Sequence, residues 1–75
     1  MNLPQRAVGI DIGGTKIVVA AVDAAGTIHA RRSYETNSAR GFAVSLAEMR
    51  ATISRVLAEA NWAADSICGI GIVCI

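Results

Sequence analysis

Residues 9 to 16, Gly-Ile-Asp-Ile-Gly-Gly-Thr-Lys, set a carboxylate at the end of an apolar run, two glycines just after it, and a hydroxyl and a cation beyond them. This combination suits a phosphate and its metal. Gly13 and Gly14 remove the Cβ atoms that would hold a ligand away and open turn geometries that other residues resist. Backbone N–H groups can then converge on an anion. Asp11, expected at an inward-facing strand position beside the turn, adds a hard oxygen ligand for Mg²⁺, directly or through water. The spacing excludes both the G-x-x-x-x-G-K-[ST] phosphate loop and the G-x-G-x-x-G dinucleotide fingerprint. Gly-Gly between apolar runs is also a common hairpin signal. Asp11 argues for more than a turn, because an acid inside Ala7-Val8-Gly9-Ile10-Asp11-Ile12 costs burial energy unless it is paired or metal-bound.

The elements that must position these groups follow from hydropathy patterning. A first strand, about Ala7 to Ile12, is apolar throughout, as expected of a central strand buried on both faces. The β-branched run Lys16 to Val22 is a second strand, paired to the first through the glycine turn. Asp23-Ala24-Ala25-Gly26 has turn chemistry. From Thr27 to Glu35 the residues alternate. Ile28, Ala30 and Tyr34 fall on one side, with Arg32 an exception among them, and His29, Arg31, Ser33 and Glu35 fall on the other, which predicts a half-solvated strand toward the sheet edge.

Asn37, Ser38, Arg40 and Gly41 form a polar loop able to cap the next element. From about Gly41 to Asn61 the apolar spacing becomes three and four. Phe42, Leu46, Met49, Ile53, Val56, Leu57 and Ala60 make a stripe for packing on the sheet, and Ser45, Glu48, Thr52, Arg55 and Glu59 fill the other side of an amphipathic helix. Trp62 to Ser66 is a connection in which Trp62 anchors the helix end. Ile67 to Ile75 is a fully apolar strand, expected parallel to the first after the helical crossover, giving spatial order 3-2-1-4.

The string Val8-Gly9-Ile10-Asp11-Ile12-Gly13-Gly14-Thr15-Lys16, followed by a second apolar strand and Val22-Asp23-Ala24-Ala25-Gly26-Thr27-Ile28, resembles the amino terminus of the ROK family. That family takes in sugar kinases, such as glucokinases and N-acylmannosamine kinases, and sugar-responsive repressors. More broadly, D-x-G-G-T is similar to the first phosphate motif of the actin, hexokinase and heat-shock chaperone superfamily. The resemblance covers essentially the whole chain, and its first 28 residues are the specific part. It implies an α/β fold, the amino-terminal part of a ribonuclease H-like domain with three antiparallel strands, one helix and one parallel strand. It also implies ATP and Mg²⁺ as cofactors, with Asp11 near the metal, Gly13, Gly14 and Thr15 at the β- and γ-phosphates, and Lys16 at the edge of that site. A sugar is the implied substrate of the parent protein.

Length limits what the chain can do. Its 75 residues amount to about half of one typical domain, whereas a complete enzyme of the family has two domains. A chain this short buries only about 60 % of its unfolded surface. Its composition, 53 % apolar and 17 % charged, belongs to the inside of something larger. Residues 1–75 are therefore expected to be a partial domain, without the sugar-binding and catalytic segments. In the family the last strand leads into a glycine- and proline-containing loop, but Val73, Cys74 and Ile75 stand there instead, as after truncation or a reading-frame shift near Gly71. Asp23 lies in a turn, Asp65 in a loop, and Asp11 belongs to the phosphate site, so no catalytic base is assigned. His29 is expected to be a surface strand residue, not a metal ligand.

A net charge of +1, with no cationic cluster beyond Arg31-Arg32, speaks against nucleic acid. No run reaches the roughly 18 apolar residues of a membrane span, and the first residues lack a signal peptide's apolar stretch. The expected location is the cytoplasm. Cys68 and Cys74 are expected to be reduced, buried thiols, too far apart along one strand to bridge. The final apolar strand predicts a homo-oligomer formed through an exposed sheet edge. Three functions follow: a segment of an ATP-dependent sugar kinase, inactive by itself; a segment of a ROK-type repressor, disfavoured because only six residues precede the first strand and leave no room for a helix-turn-helix; or a non-catalytic, self-associating piece.

Overall fold

The computed structural model describes residues 5–36 and 41–74. Four strands and one helix follow the order β1 (Arg6–Ile12), β2 (Lys16–Asp23), β3 (Ile28–Glu35), α1 (Phe42–Ala60) and β4 (Gly69–Cys74), with a short 3₁₀ turn at Ala64–Ser66. The sheet order is β3-β2-β1-β4, as the sequence predicts. The pairs β1–β2 and β2–β3 are antiparallel, and β4 runs parallel to β1. Asn37, Ser38 and Arg40 of the predicted capping loop, and Ile75, lie outside the described residues. So do the side chains of Phe42, Val73 and Cys74.

One face of the sheet carries the core. Val8 and Ile10 of β1, Ile17, Val19 and Ala21 of β2, and Val56 and Leu57 of α1 pack into one buried cluster with Trp62. Strand periodicity sends Gly9, Asp11, Val18 and Ala20 to the opposite face, where no element packs among the described residues. The expectation that β1 is buried on both faces is therefore corrected. Its near-continuous apolar run reflects glycine and small residues on the open side, not a second covering layer.

Helix α1 packs on β2 and β3. Thr52, expected on the solvated side, is 6 % exposed. It lies one turn from Val56, and its hydroxyl donates to the Glu48 carbonyl at 2.8 Å, which satisfies the buried oxygen. At the amino end Gly41 takes φ 88° and brings no side-chain cap. At the carboxyl end Asn61 adopts the left-handed conformation (φ 60°). The Asn61 N–H donates to Ala58 O at 3.1 Å and the Trp62 N–H to Leu57 O at 2.9 Å, a Schellman ending that turns Trp62 back onto the core. The predicted anchoring role of Trp62 holds. The Arg6 guanidinium lies 5.0 Å from its ring centroid, and the His29 ring 4.9 Å from it.

Strand β3 departs from simple alternation. Ala30 pairs with Ala21 but Ile28 pairs with Val22, so His29 is an extra residue in a bulge. The bulge reverses the faces of the first two residues. Ile28, expected beside Ala30 and Tyr34, is 51 % exposed and lines the open face instead. Arg32, the anomaly among those three, faces the helix and pairs with Glu59. Strand β4 continues to Cys74, opposite Ile12. Its Ile70 and Ile72 stand in register with Val8 and Ile10, yet are 56 % and 57 % exposed because α1 does not extend over this edge. Cys68 is exposed rather than buried; it precedes β4, and its thiol donates to Arg6 O at 3.1 Å.

Candidate functional site

The β1–β2 turn closes between Ile12 and Ile17, which are paired. Three bonds fix it. The Gly13 N–H donates to Lys16 O at 3.0 Å, the Thr36 N–H donates to Thr15 O at 3.0 Å, and the Thr36 hydroxyl donates to Gly13 O at 3.2 Å. The carbonyls of Gly13 and Thr15 are thus both occupied by Thr36. The N–H groups of Gly14 and Thr15 have no partner among the described residues. With Gly13 O, Thr15 O and Lys16 O engaged, the free N–H groups of Gly14 and Thr15 can turn positive dipoles toward an anion.

The two glycines serve different ends. Neither has a left-handed φ, so the expected need for special turn geometry does not explain them. A Cβ on Gly13 would sit 3.1 Å from Lys16 O, so the turn itself requires this glycine. A Cβ on Gly14 would meet nothing within 4 Å. The chain has no internal reason for glycine at 14, whereas a ligand resting on the free amides does.

Asp11 is exposed, not inward-facing as expected. It pairs with Val18 and projects from the face opposite α1, so no burial cost compels it to find a partner. The residues present nevertheless fit a hydrated divalent cation beside a phosphate: an accessible hard carboxylate stands close to a donor-rich turn. Lys16, also exposed, is two residues before Val18 on β2 and therefore shares the face of Asp11. The structure thus gathers all five predicted residues, Asp11, Gly13, Gly14, Thr15 and Lys16, at one end of the sheet. Sequence reasoning missed Thr36, whose two bonds hold the turn. Only the register of β2 with β3, which sets Lys16 opposite Glu35, brings it to the turn.

The match to the ROK family model extends over residues 7–75. The chain belongs to the ROK family. A search of curated proteins returned no match. Within this ROK chain Glu35 stands beside the turn, opposite Lys16, whereas Asp23 and Asp65 stand away from it. Asp23 closes the far end of β2, seven residues or about 23 Å from Lys16. There its carboxylate accepts from Ala25 N at 2.9 Å, Thr27 N at 3.0 Å and the His29 ring at 2.7 Å. The His29 ring first, and then the Thr27 N–H, hold the Asp23 carboxyl below the usual carboxylate range. Asp65 lies in the 3₁₀ turn, near the start of β1, where the Arg6 side chain reaches Ser66. Neither acid can reach a ligand on the glycine turn. Among the described residues no three His, Cys, Asp or Glu gather as a metal site, and no helix is long and apolar enough to cross a membrane.

Proposed function

We propose that this chain is the ATP phosphate-binding segment of an ATP-dependent ROK sugar kinase. The observation that carries the reading is the hydrogen bonding of the glycine turn: the N–H groups of Gly14 and Thr15 are free, while the carbonyls of Gly13 and Thr15 are tied down by Thr36. In this reading Gly13, Gly14 and Thr15 bind the β- and γ-phosphates, Lys16 adds charge at the rim, and Asp11 holds Mg²⁺ directly or through water. When bound, Mg²⁺ neutralises phosphate charge that would otherwise oppose attack by a sugar hydroxyl. The residues of this chain bind and orient; they provide no base for that hydroxyl, and phosphoryl transfer needs both. The chain by itself is therefore expected to bind nucleotide without turning it over.

Titration with Mg-ATP, followed by amide resonances, tests the reading. Shifts centred on Gly14 and Thr15 that vanish in Asp11→Ala support it. Absence of saturable shifts at millimolar Mg-ATP in a folded chain would overturn it.

A further inference from the structure

The face that carries Asp11 holds a second concentration of positive charge. Strand register places Val18 opposite Ser33 and Ala20 opposite Arg31, all on the side away from α1. Lys16, Arg31 and Ser33 border a depression of about 280 Å³ over Val18. No acidic residue lines it. Arg32 also borders it, but its guanidinium is bound to Glu59 on the helix side. Lys16 and Arg31, by contrast, have no ion-pair partner among the described residues. Arg31 also borders the neighbouring trough of about 450 Å³ that contains Asp11. Two cations without an ion-pair partner among the described residues and a hydroxyl thus border one depression beside a turn with free amides.

We infer that Lys16, Arg31 and Ser33 form a second anion subsite, one that takes a phosphate group. The inference rests in part on the proposed phosphate turn, because Lys16 belongs to both. A guanidinium offers paired donors to two oxygens of one phosphate, and the ammonium and hydroxyl add single donors. Glu35, opposite Lys16, and Asp11, across Val18, are the acids nearest in register; they confine the positive zone to the middle of β2 and β3. The occupant is either the far end of a phosphate chain that begins at the turn or a separate phosphate.

The test titrates the chain, free of metal, with potassium phosphate and with tripolyphosphate at constant ionic strength. The Arg31 Nε–H, the Ser33 amide, and the Gly14 and Thr15 amides are followed. Movement of Arg31 and Ser33 with orthophosphate alone supports a separate phosphate. Movement only with tripolyphosphate, together with Gly14 and Thr15, supports one continuous chain. Arg31→Gln is expected to weaken the effective probe about tenfold, the loss typical of one ionic hydrogen bond, and Arg32→Gln to leave it unchanged. Equal weakening by the two substitutions, or no movement at Arg31 with either probe, would overturn the subsite. Loss of Mg-ATP binding at the turn with Arg31 still responding to phosphate would instead count against the turn alone.

Discussion

Gly14→Ala separates a glycine required by the fold from one required by a ligand. The added Cβ meets nothing within 4 Å, and the backbone at 14 is not left-handed, so the folded chain accepts it without strain. Reduced freedom of the unfolded chain should then raise stability by about 0.4–1 kcal/mol. The same methyl group is added to the turn that carries the free amides of Gly14 and Thr15, at the residue a bound phosphate would approach. Loss of one charge-assisted N–H contact to phosphate costs about 1.5–3 kcal/mol, which corresponds to roughly 10- to 100-fold weaker Mg-ATP. Gly13→Ala should behave in the opposite way. Its Cβ falls 3.1 Å from Lys16 O, an oxygen held in place by the Gly13 N–H itself. Overpacking of about 1–3 kcal/mol outweighs the entropic gain, for a net loss of about 1 kcal/mol. Urea unfolding followed by the single tryptophan, Trp62, measures both stabilities, and amide titration measures binding. A Gly14→Ala chain that folds normally and binds Mg-ATP like the parent would refute the assignment of that glycine to a ligand.

Three further outcomes are expected. The Tyr34 hydroxyl is buried without a hydrogen-bond partner, and burial, then the Glu48 charge, raises its pKa; Tyr34→Phe should leave stability unchanged or raise it by about 1 kcal/mol in urea unfolding, and a loss above that size would show a missed bond. Asp23 has a folded-state pKa below its value of 3.8 in the open chain, so its contribution is complete above that value and disappears as pH falls through the lower, folded value; urea midpoints of the parent should drop more steeply below about pH 4 than those of Asp23→Asn, and parallel curves would contradict this. Strand β4 carries no charge or proline to block pairing at its edge, whereas β3 carries Arg31, Arg32 and Glu35; sedimentation should therefore show concentration-dependent association that Ile72→Lys abolishes, and a monomer at high concentration would exclude it.

The sequence made the element order, the sheet order and the helix legible because each rests on local periodicity. Val8, Ile10, Ile17 and Val19 repeat every second residue, and Met49, Ile53, Val56 and Leu57 repeat every third or fourth. What it hid depends on contacts between elements. The bulge at His29 leaves no mark in composition, since Ile28 and Ala30 are both apolar and only the register with Val22 and Ala21 shows that they face opposite ways. Thr52 looks like a surface residue until its hydroxyl is seen bonded to Glu48 O. The face on which Asp11 stands is hidden for the same reason. An apolar strand reveals how much of it could be buried, but not which face the helix covers.

The corrected position of Asp11 changes the argument for the site. An acid held inside a core would need a partner merely for the chain to fold, and its pairing would say little about ligands. Asp11 instead stands on the uncovered face with Lys16 and Arg31, while the packing that determines strand register lies on the other face, through Val8, Val19 and Val56. Folding fixes where these three charged groups point but does not depend on what they meet. The choice of residue at these positions is therefore free of the fold's demands, and substitutions there should change binding at nearly constant stability. The glycine turn sits where the two requirements join: Gly13 answers to Lys16 O within the fold, and Gly14 answers to nothing inside it.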